Sequence, residues 1–337
     1  MNNSAPISII IPARDADGTL AFTLASIAIQ SAAPSEIIIV DDGSTVPLAI
    51  PVNDPGMPDP HRIRVIRLDQ SRGPAVARNA GAAVARSDIL LFIDADVVLA
   101  PDVVRLTAAH FDTVTGIAAV QGIYDSRTPD TASICTRYQN HYYHHAFMRI
   151  ATPDASVCAT FCFAVRRPVF DQMGGFDAAI ARPTVEDEAF GYRLTAAGHR
   201  IYLDRSIRVM HLAHYTVSDL ILRKFRMSFH QVKSLLRGIR PPVGMPRTTN
   251  RSHHARDTLA AIILAPFLPA AVFAAGPAAW IVLLVYFALN ARFWGYLWKN
   301  EPPACAMEMI GLTWVDQTVI CSGLFIGSLD FLTGNRY

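Results

Sequence analysis

The chain has 337 residues, 51% of them hydrophobic, and a formal net charge of +2. Its length and apolar content allow a large buried core and exclude disorder, and the near-neutral balance carries no whole-chain sign of a nucleic-acid partner. Its five cysteines are odd in number and form no Cys-x-x-Cys pair, which argues against a disulfide framework and for a reducing compartment. In chain order, Met1 to Pro6 shows no basic stretch followed by an apolar run. No signal peptide is expected, and the N-terminal part is expected in the cytosol. Ser8 to Ile11 reads as a strand stopped by Pro12, and Gly18 to Ser31 as a helix through Leu20, Leu24 and Ile27. Glu36 to Val40 is a second buried strand, ending in Asp41-Asp42-Gly43-Ser44. Pro47 to Pro60, with five prolines, reads as a surface loop. Ile63 to Leu68 is a third strand, Gly73 to Ala85 an alanine-rich helix, and Ile89 to Ile93 a strand buried on both faces. Strands alternating with helices imply an α/β fold: a right-handed, doubly wound, mostly parallel sheet with helices on both faces.

Parallel strands bring their carboxyl ends to one edge, where open α/β sheets bind ligands. Arg14 and Asp15, Asp41 and Asp42, and Asp94 and Asp96 all fall at such ends, which points to a nucleotide-type site. Two acids one residue apart are costly there unless a cation or ligand hydroxyls lie between them. A hard divalent metal carrying a diphosphate would fill that need; a solvated acidic turn is the plain alternative. Farther on, Thr131 to Ile150 reads as a helix rich in Tyr and His. His141 and His145, four apart, suit either a metal pair or, as expected here, an amphipathic helix with aromatics inward and histidines outward. Ser156 to Arg166 is strand-like, Gly174-Gly175-Phe176-Asp177 is a turn, and a helix begins at Val185 and runs to about Ala197, ended by Gly198. The strand-like Ile207 to Met210 leads to His211.

The tail changes character. From Ile221 to Arg256 there are nine Lys and Arg residues and no acid, a block suited to phosphate, RNA or an anionic membrane surface. Ser218 to Arg237 reads as a basic amphipathic helix with Leu222, Phe225, Phe229, Val232 and Leu236 on one side, either lying on a membrane or packed on the sheet domain. Leu259 to Ala275 and Ala278 to Leu289 are apolar and separated by Gly276-Pro277; each is near the length that crosses about 30 Å of hydrocarbon. Trp294, Tyr296 and Trp298 suit a headgroup belt, and Arg256, Arg292 and Lys299 flank the pair, as in a hairpin with both ends in the cytosol. A third segment, Met309 to Leu329, carries Asp316 and could span, re-enter or lie at the surface.

The order of motifs resembles the inverting, GT-A-fold glycosyltransferases of family 2. The matching pieces are Ser8-Ile9-Ile10-Ile11-Pro12, Val40-Asp41-Asp42-Gly43-Ser44, Gly73 with Ala77-Arg78-Asn79, and Phe92-Ile93-Asp94-Ala95-Asp96. They continue with Gly174-Gly175-Phe176-Asp177 and with Glu186-Asp187 followed by Gly191, Arg193-Leu194 and Gly198. The resemblance covers roughly residues 6 to 215, and seven motifs in the correct order make it specific. The hydrophobic tail is loosely similar to that of members with a C-terminal membrane-associated tail that use a lipid-linked acceptor.

The resemblance implies roles residue by residue. Pro12, Val40 and Asp42 match positions that hold the nucleoside, with the acid on the base. Asp94 and Ala95 match the donor-binding turn, Asp94 facing ribose or metal, and Asp96 matches the ligand of Mg2+ or Mn2+ beside the diphosphate. His211 falls where many relatives have a histidine near the metal or diphosphate, and a surface histidine is the alternative. Arg78 adds charge near the donor, or caps or pairs on its helix. Asp187 matches the general base, which takes a proton from the acceptor hydroxyl. Glu186 and Arg193 fall on the acceptor side.

Three departures stand out. Asp15-Ala16 replaces a common Asn-Glu, removing one nucleoside contact. Cys158 to Cys162 lacks a glycine many relatives have. The Gln-x-x-Arg-Trp element of processive synthases is absent, so one sugar is expected per encounter. The implied protein is a hexosyltransferase-type enzyme of the cell envelope, with a nucleoside-diphosphate sugar as donor and a lipid or polyprenyl-phosphate-type acceptor. It would sit at the inner membrane with its catalytic domain cytoplasmic. Residues 1–215 would form the glycosyltransferase domain, 216–256 a basic helix and linker, and 257–337 membrane-associated helices. A non-catalytic nucleotide-sugar-binding module and a sugar nucleotidyltransferase are the rival classes. The second usually opens with a glycine-rich loop, which Pro12-Ala13-Arg14-Asp15 is not.

Overall fold

The computed structural model describes residues 5–50, 54–151, 153–155, 158–180, 185–239, 256–274 and 276–335. Parts of the expected 47–60 loop and 156–166 strand lie outside them, as do Arg240, Arg247 and Arg251 of the basic block. The chain forms two compact units, Met1–Ser126 with Ile150–Leu212, and Arg127–Arg149 with Ala213–Tyr337.

In the first unit, β1 (Ile7–Ala13), α1 (Asp17–Ala28), β2 (Glu36–Asp41), β3 (Ile63–Arg67), α2 (Pro74–Val84) and β4 (Ile89–Ile93) arise close to where the sequence places them. Contiguous apolar runs favour strands that are covered on both faces, and Ile9 to Ile11, Ile37 to Val40 and Ile89 to Ile93 are all at most 1% exposed. The sequence reading missed β5 (Val97–Leu99), α3 (Val103–Thr113) and β6 (Ile117–Tyr124). The chain passes into the second unit through α4 (Ile134–Met148) and returns with β7 (Asp154–Ala155), β8 (Cys162–Arg166), the missed short helix α5 (Arg167–Gln172), α6 (Glu186–Ala196) and β9 (Arg200–His211).

Among the described residues one sheet has the order β3-β2-β1-β4-β8-β6-β9-β5, with β7 on β9. The first four strands are parallel, β8 runs against both β4 and β6, β6 and β9 are parallel, and β5 is antiparallel to β9. The sheet is mixed and mostly parallel.

Pro12 does not stop β1; it pairs with Val40 in register. The Ile7 and Ala13 carbonyls accept from Ser35 and Asp42, so odd positions face β2 and Pro12 faces β4. Pairing with β4 ends at Ile10–Phe92, so the missing N–H of Pro12 falls where no ladder partner is required. Beneath β4, Phe92, Phe170, Phe176 and Phe190 form an aromatic cluster, with Phe176 at 5.1 Å from Phe92 and 4.8 Å from Phe190 between ring centres.

The second unit contains α4, α7 (Val217–Ile239), α8 (Arg256–Leu264), a 3-10 turn (Ala265–Phe267), α9 (Leu268–Ala274), α10 (Pro277–Asn300) and α11 (Pro303–Leu332). Pro266 and Pro269 break the first apolar stretch into two helices, because proline removes an N–H and clashes with the preceding turn. Three stretches, Arg256–Phe273, Ala279–Asn300 and Pro303–Leu332, are long and apolar enough to cross a membrane. The uncertain third segment is thus one continuous helix. This helix and α10 leave large apolar side chains exposed, among them Trp280, Leu284 and Phe287 on α10 and Phe325 and Leu329 on α11.

Two expectations are corrected in this unit. The α4 histidines are not outside: His141 and His144 are buried. His141 faces Glu301 through Nε2 at 2.6 Å and the Tyr296 hydroxyl through Nδ1 at 3.0 Å, which satisfies both ring nitrogens without a metal pair with His145. Helix α7 forms as expected, with Phe225, Phe229, Val232 and Leu236 half-buried, but its most buried side chains are mostly polar. Lys224, Ser228, Gln231 and Lys233 are buried while Leu222 is exposed. The cause lies on α11. Asp316 and Asp330 supply counter-charges to Lys224 and Lys233 at 3.5 and 2.8 Å. Gly323 and Gly327 let the two backbones approach, since a Cβ at Gly323 would fall 2.1 Å from Ser228 Oγ and one at Gly327 2.5 Å from the Phe229 carbonyl.

Candidate functional site

The site is built at the carboxyl ends of the first unit's strands. At the end of β1, Asp15 sits at φ 48°, a left-handed conformation that a short acidic side chain tolerates. Its N–H donates to Ser44 Oγ at 2.9 Å, and its carboxylate accepts from Thr45 N at 2.8 Å, tying the β1 and β2 loops together. Asp41 points back into the scaffold. Burial pushes its carboxyl up, but hydrogen bonds from Ser44, Leu48 and Arg67 outweigh that and hold it below its ordinary value.

Asp42, 5% exposed, accepts from Arg72 N at 2.8 Å, Gly73 N at 3.0 Å and Ser71 Oγ at 2.9 Å. It therefore organises the turn that starts α2. Gly43 is required there: its φ is +62°, and a Cβ would lie 2.5 Å from Ser71 N. Val40 is wholly buried, so its side chain belongs to the core, while Pro12 is partly exposed.

One turn into α2, the buried Arg78 donates to Asp94 Oδ1 and Glu186 Oε1, both at 2.9 Å. Asp94 follows β4 and Glu186 opens α6, so this guanidinium joins two distant segments. Its cationic form is favoured: burial opposes the charge, and Asp94, Glu186 and Asp187 overcome it. Asp94 is pushed up by burial and by Asp96, against the pull of Arg78 and His211.

Asp96 Oδ2 and His211 Nε2 lie 3.3 Å apart. The antiparallel pairing of β5 with β9 places them together, with Val97 opposite His211 and the Leu212 N–H on the Asp96 carbonyl at 2.8 Å. The Tyr124 ring lies 5.0 Å from His211 and stacks on Phe161 at 3.8 Å. Among the described residues no group of three or more His, Cys, Asp and Glu is placed to hold a metal. Asp96 and His211 instead offer one oxygen and one nitrogen donor at a spacing that one ion could bridge. Mg2+ and Mn2+ suit such a set, because a hard ion takes one or two carboxylates and completes its shell with phosphate oxygens and water.

Asp187 lies in the first turn of α6. Its Oδ1 accepts from Glu188 N at 2.8 Å, and its Oδ2 faces the N and Oγ1 of Thr160 at 3.3 and 3.4 Å. Burial, Glu186 and Glu188 push its carboxyl up to about 8, against the pull of Arg78 and of the Glu188 N–H. A carboxyl in that range is suited to accept a proton near neutral pH. Burial, with Asp94, pushes the Cys162 thiol up to about 12, which disfavours its thiolate.

Arg78, Asp94, Asp96, His211, Glu186 and Asp187 are thus one connected set of charges. Asp42 joins it through the turn that carries Arg78's helix. Arg193 is tied elsewhere, donating to the Met173 carbonyl at 2.8 Å and to that of Gly175. Sequence reasoning passed over Thr160 and Gln121. The Gln121 side chain, wholly buried on β6, accepts from Ala159 N at 2.7 Å and donates to the Ala159 and Cys162 carbonyls at 3.1 Å, fixing the Thr160 loop. The sequence offered no signal for either, because β6 carries little strand signal of its own.

Known proteins share the family and the fold of this chain. The model of a family described as glycosyl transferase family 2 matches residues 8–174. An N-acetylglucosaminyltransferase of Bradyrhizobium elkanii is 35% identical over 125 residues, 36% of this chain and 68% of that protein. Succinoglycan biosynthesis protein ExoO of Rhizobium meliloti (strain 1021) is 32% identical over 117 residues, 35% of this chain but only 33% of that protein, so the chain spans about a third of that relative. A mannosyltransferase from Pyrobaculum calidifontis, PcManGT, solved in complex with GDP-Man and Mn2+, superposes with a TM-score of 0.63 over 96% of this chain and 88% of its own, at 16% identity. At that identity the likeness is one of fold.

Proposed function

The chain belongs to glycosyl transferase family 2, and from that premise we propose that it is a membrane-associated inverting glycosyltransferase moving one sugar from a nucleoside-diphosphate sugar to a lipid or lipid-linked acceptor. Residues 1–215 carry the donor chemistry, the 216–256 helix and linker follow, and residues 257–337 hold the protein at the membrane. The observation that carries the reading is the charge cluster at the sheet edge. A proton-accepting carboxyl, Asp187, belongs to the same network as the Asp96–His211 pair.

In this reading Pro12, Asp42 and the backbone of the buried Val40 hold the nucleoside, and Asp94 and Ala95 line the donor turn. Asp96 and His211 would hold Mg2+ or Mn2+, whose positive charge offsets the negative charge that grows on the departing nucleoside diphosphate. Asp187 takes the acceptor hydroxyl's proton as that oxygen attacks the anomeric carbon from the face opposite the diphosphate, which inverts configuration. Thr160 orients the Asp187 carboxylate, and Glu186 and Arg193 fix the helix that presents it toward the acceptor side. The three apolar stretches would confine the active site near a lipid acceptor and raise its effective concentration. Arg256, Arg292 and Lys299 favour an orientation with the sheet unit in the cytoplasm, at the inner membrane.

The deciding experiment incubates the purified protein with UDP-sugars or GDP-mannose, Mn2+ and membrane lipids, and measures the products. Release of nucleoside diphosphate with a glycosylated lipid is the expected outcome. Binding without release identifies a sugar-nucleotide sensor, and pyrophosphate as product identifies a nucleotidyltransferase.

A further inference from the structure

We propose that Arg78 is a positioning residue rather than a donor ligand: by clamping Glu186 against Asp94 it fixes the start of α6 and thereby places Asp187 for proton abstraction. The inference rests on the reading of Asp187 as the base.

Three observations carry it. Arg78 is 5% exposed, and the two ends of its guanidinium are engaged by acids from different segments, each at 2.9 Å. A planar fork can hold two carboxylates at once, whereas a lysine ammonium acts as one point of charge. The Glu186 side chain it grips is itself 6% exposed, so the pair is removed from water and its geometry is fixed. The next residue, Asn79, does the same for the preceding turn: its amide donates to the Phe176 carbonyl at 2.8 Å and accepts from Phe176 N at 2.9 Å. Gly175 packs so closely on that amide that a Cβ would lie 2.7 Å from its oxygen. Two successive residues of α2 therefore hold both the Gly175–Phe176 turn and the first turn of α6, which carries Asp187.

The charges facing Asp187 make the effect measurable. Glu186, Glu188 and Tyr192 come from α6, Arg78 from α2, and Cys158 from the segment before β8. Of these only Arg78 is a cation. Removing it leaves Glu186 buried beside Asp187, so the base is held protonated to a higher pH. Removing both Arg78 and Glu186 deletes the attraction and the repulsion together.

The test compares wild type, R78M, E186Q, R78M/E186Q and R78K for transfer rate as a function of pH and for donor KM, with thermal melting to confirm folding. R78M is expected to lower kcat at pH 7 about tenfold and to move the rising limb of the rate up by about one pH unit, with donor KM changed less than twofold. Adding E186Q is expected to return the limb toward the wild-type position and recover most of the rate. R78K, which keeps the buried charge should R78M fail to fold, is expected to lower kcat at unchanged donor KM. A raised donor KM in R78M or R78K that E186Q does not relieve would make Arg78 a phosphate ligand and overturn the proposal. A normal wild-type limb that R78M leaves in place overturns the bracing alone. A wild-type rate that is flat between about pH 6 and 9 removes the base role of Asp187, and the proposal with it.

Discussion

The two units treat buried charge in opposite ways. At the sheet edge of the first, among the described residues, Asp94, Asp96, Glu186 and Asp187 gather around one permanent cation, Arg78, and one imidazole, His211. In the helices of the second, acids and bases come in matched sets. Lys224 faces Asp316, Lys233 faces Asp330, and Arg137 and His141 converge on Glu301. Acids that outnumber cations are costly away from water, and the excess is relieved by protonation or by a positive ligand. Matched sets are neutral within themselves and need neither. The comparison separates a surface prepared for chemistry from one prepared for packing, although both are rich in buried ionisable groups.

The sharpest way to break that contrast is to remove one acid from the first set. Asp187→Asn is expected to reduce transfer by about 10²- to 10⁴-fold with donor binding preserved, measured as nucleoside diphosphate released per enzyme. With Asp187 as the proposed base, kcat/KM in the wild type should rise with pH toward about 8 as its carboxylate forms. Stability should run the other way. The folded state raises this carboxyl above its ordinary 3.8, so its contribution is complete below about pH 4 and is lost as pH climbs through about 8. Thermal melts across that range should flatten in Asp187→Asn. In the second unit, Lys224→Met should cost about 3–5 kcal/mol by stranding Asp316, and Lys224→Met with Asp316→Leu should recover most of it. Unfolding in detergent reads this directly. A double variant no better than the single one would show that the pair does more than pack. Next in size, Asp96→Asn should lower the Mn2+-stimulated rate by about a hundredfold, the loss of a few kcal/mol of charge stabilisation. Titrating the metal should then require a higher concentration for half-maximal rate.

How far the sequence reaches follows the same division. Unbroken apolar runs announce β1, β2 and β4 because a strand covered on both faces must be apolar throughout. β6 was missed because Ala118, Ala119, Gln121 and Gly122 carry little strand signal, yet all are buried. Their pairing with β8 and β9, not their own preference, makes them a strand. The acids were legible as types at strand ends. Their partners were not. Asp96 meets His211 through a three-residue strand whose register is set by tertiary packing, and Arg78 meets Glu186 across the whole first unit. In α7 the apolar pattern through Phe225 and Phe229 gave no sign that Lys224 and Lys233 are buried as well, because their partners Asp316 and Asp330 lie on a helix far along the chain.

The smallest effect is also the most discriminating, because it asks whether Asp42 acts on the ligand or on the fold. Three donors already meet its carboxylate, two of them backbone N–H groups of the turn that opens α2. Asn in its place keeps one acceptor and sets an amide NH2 against a donor, losing about 1–2 kcal/mol of hydrogen bonding. If the acid also contacts the nucleoside base, donor KM should rise about tenfold with kcat nearly unchanged, since a uniform binding contact has been removed. If it only braces the turn, Asp42→Asn should lower the melting temperature and leave donor discrimination intact. Comparing KM for UDP- and GDP-linked donors in wild type and variant separates the two. A change confined to one base places Asp42 on the nucleoside, and an equal change for both places it in the scaffold that carries Arg78.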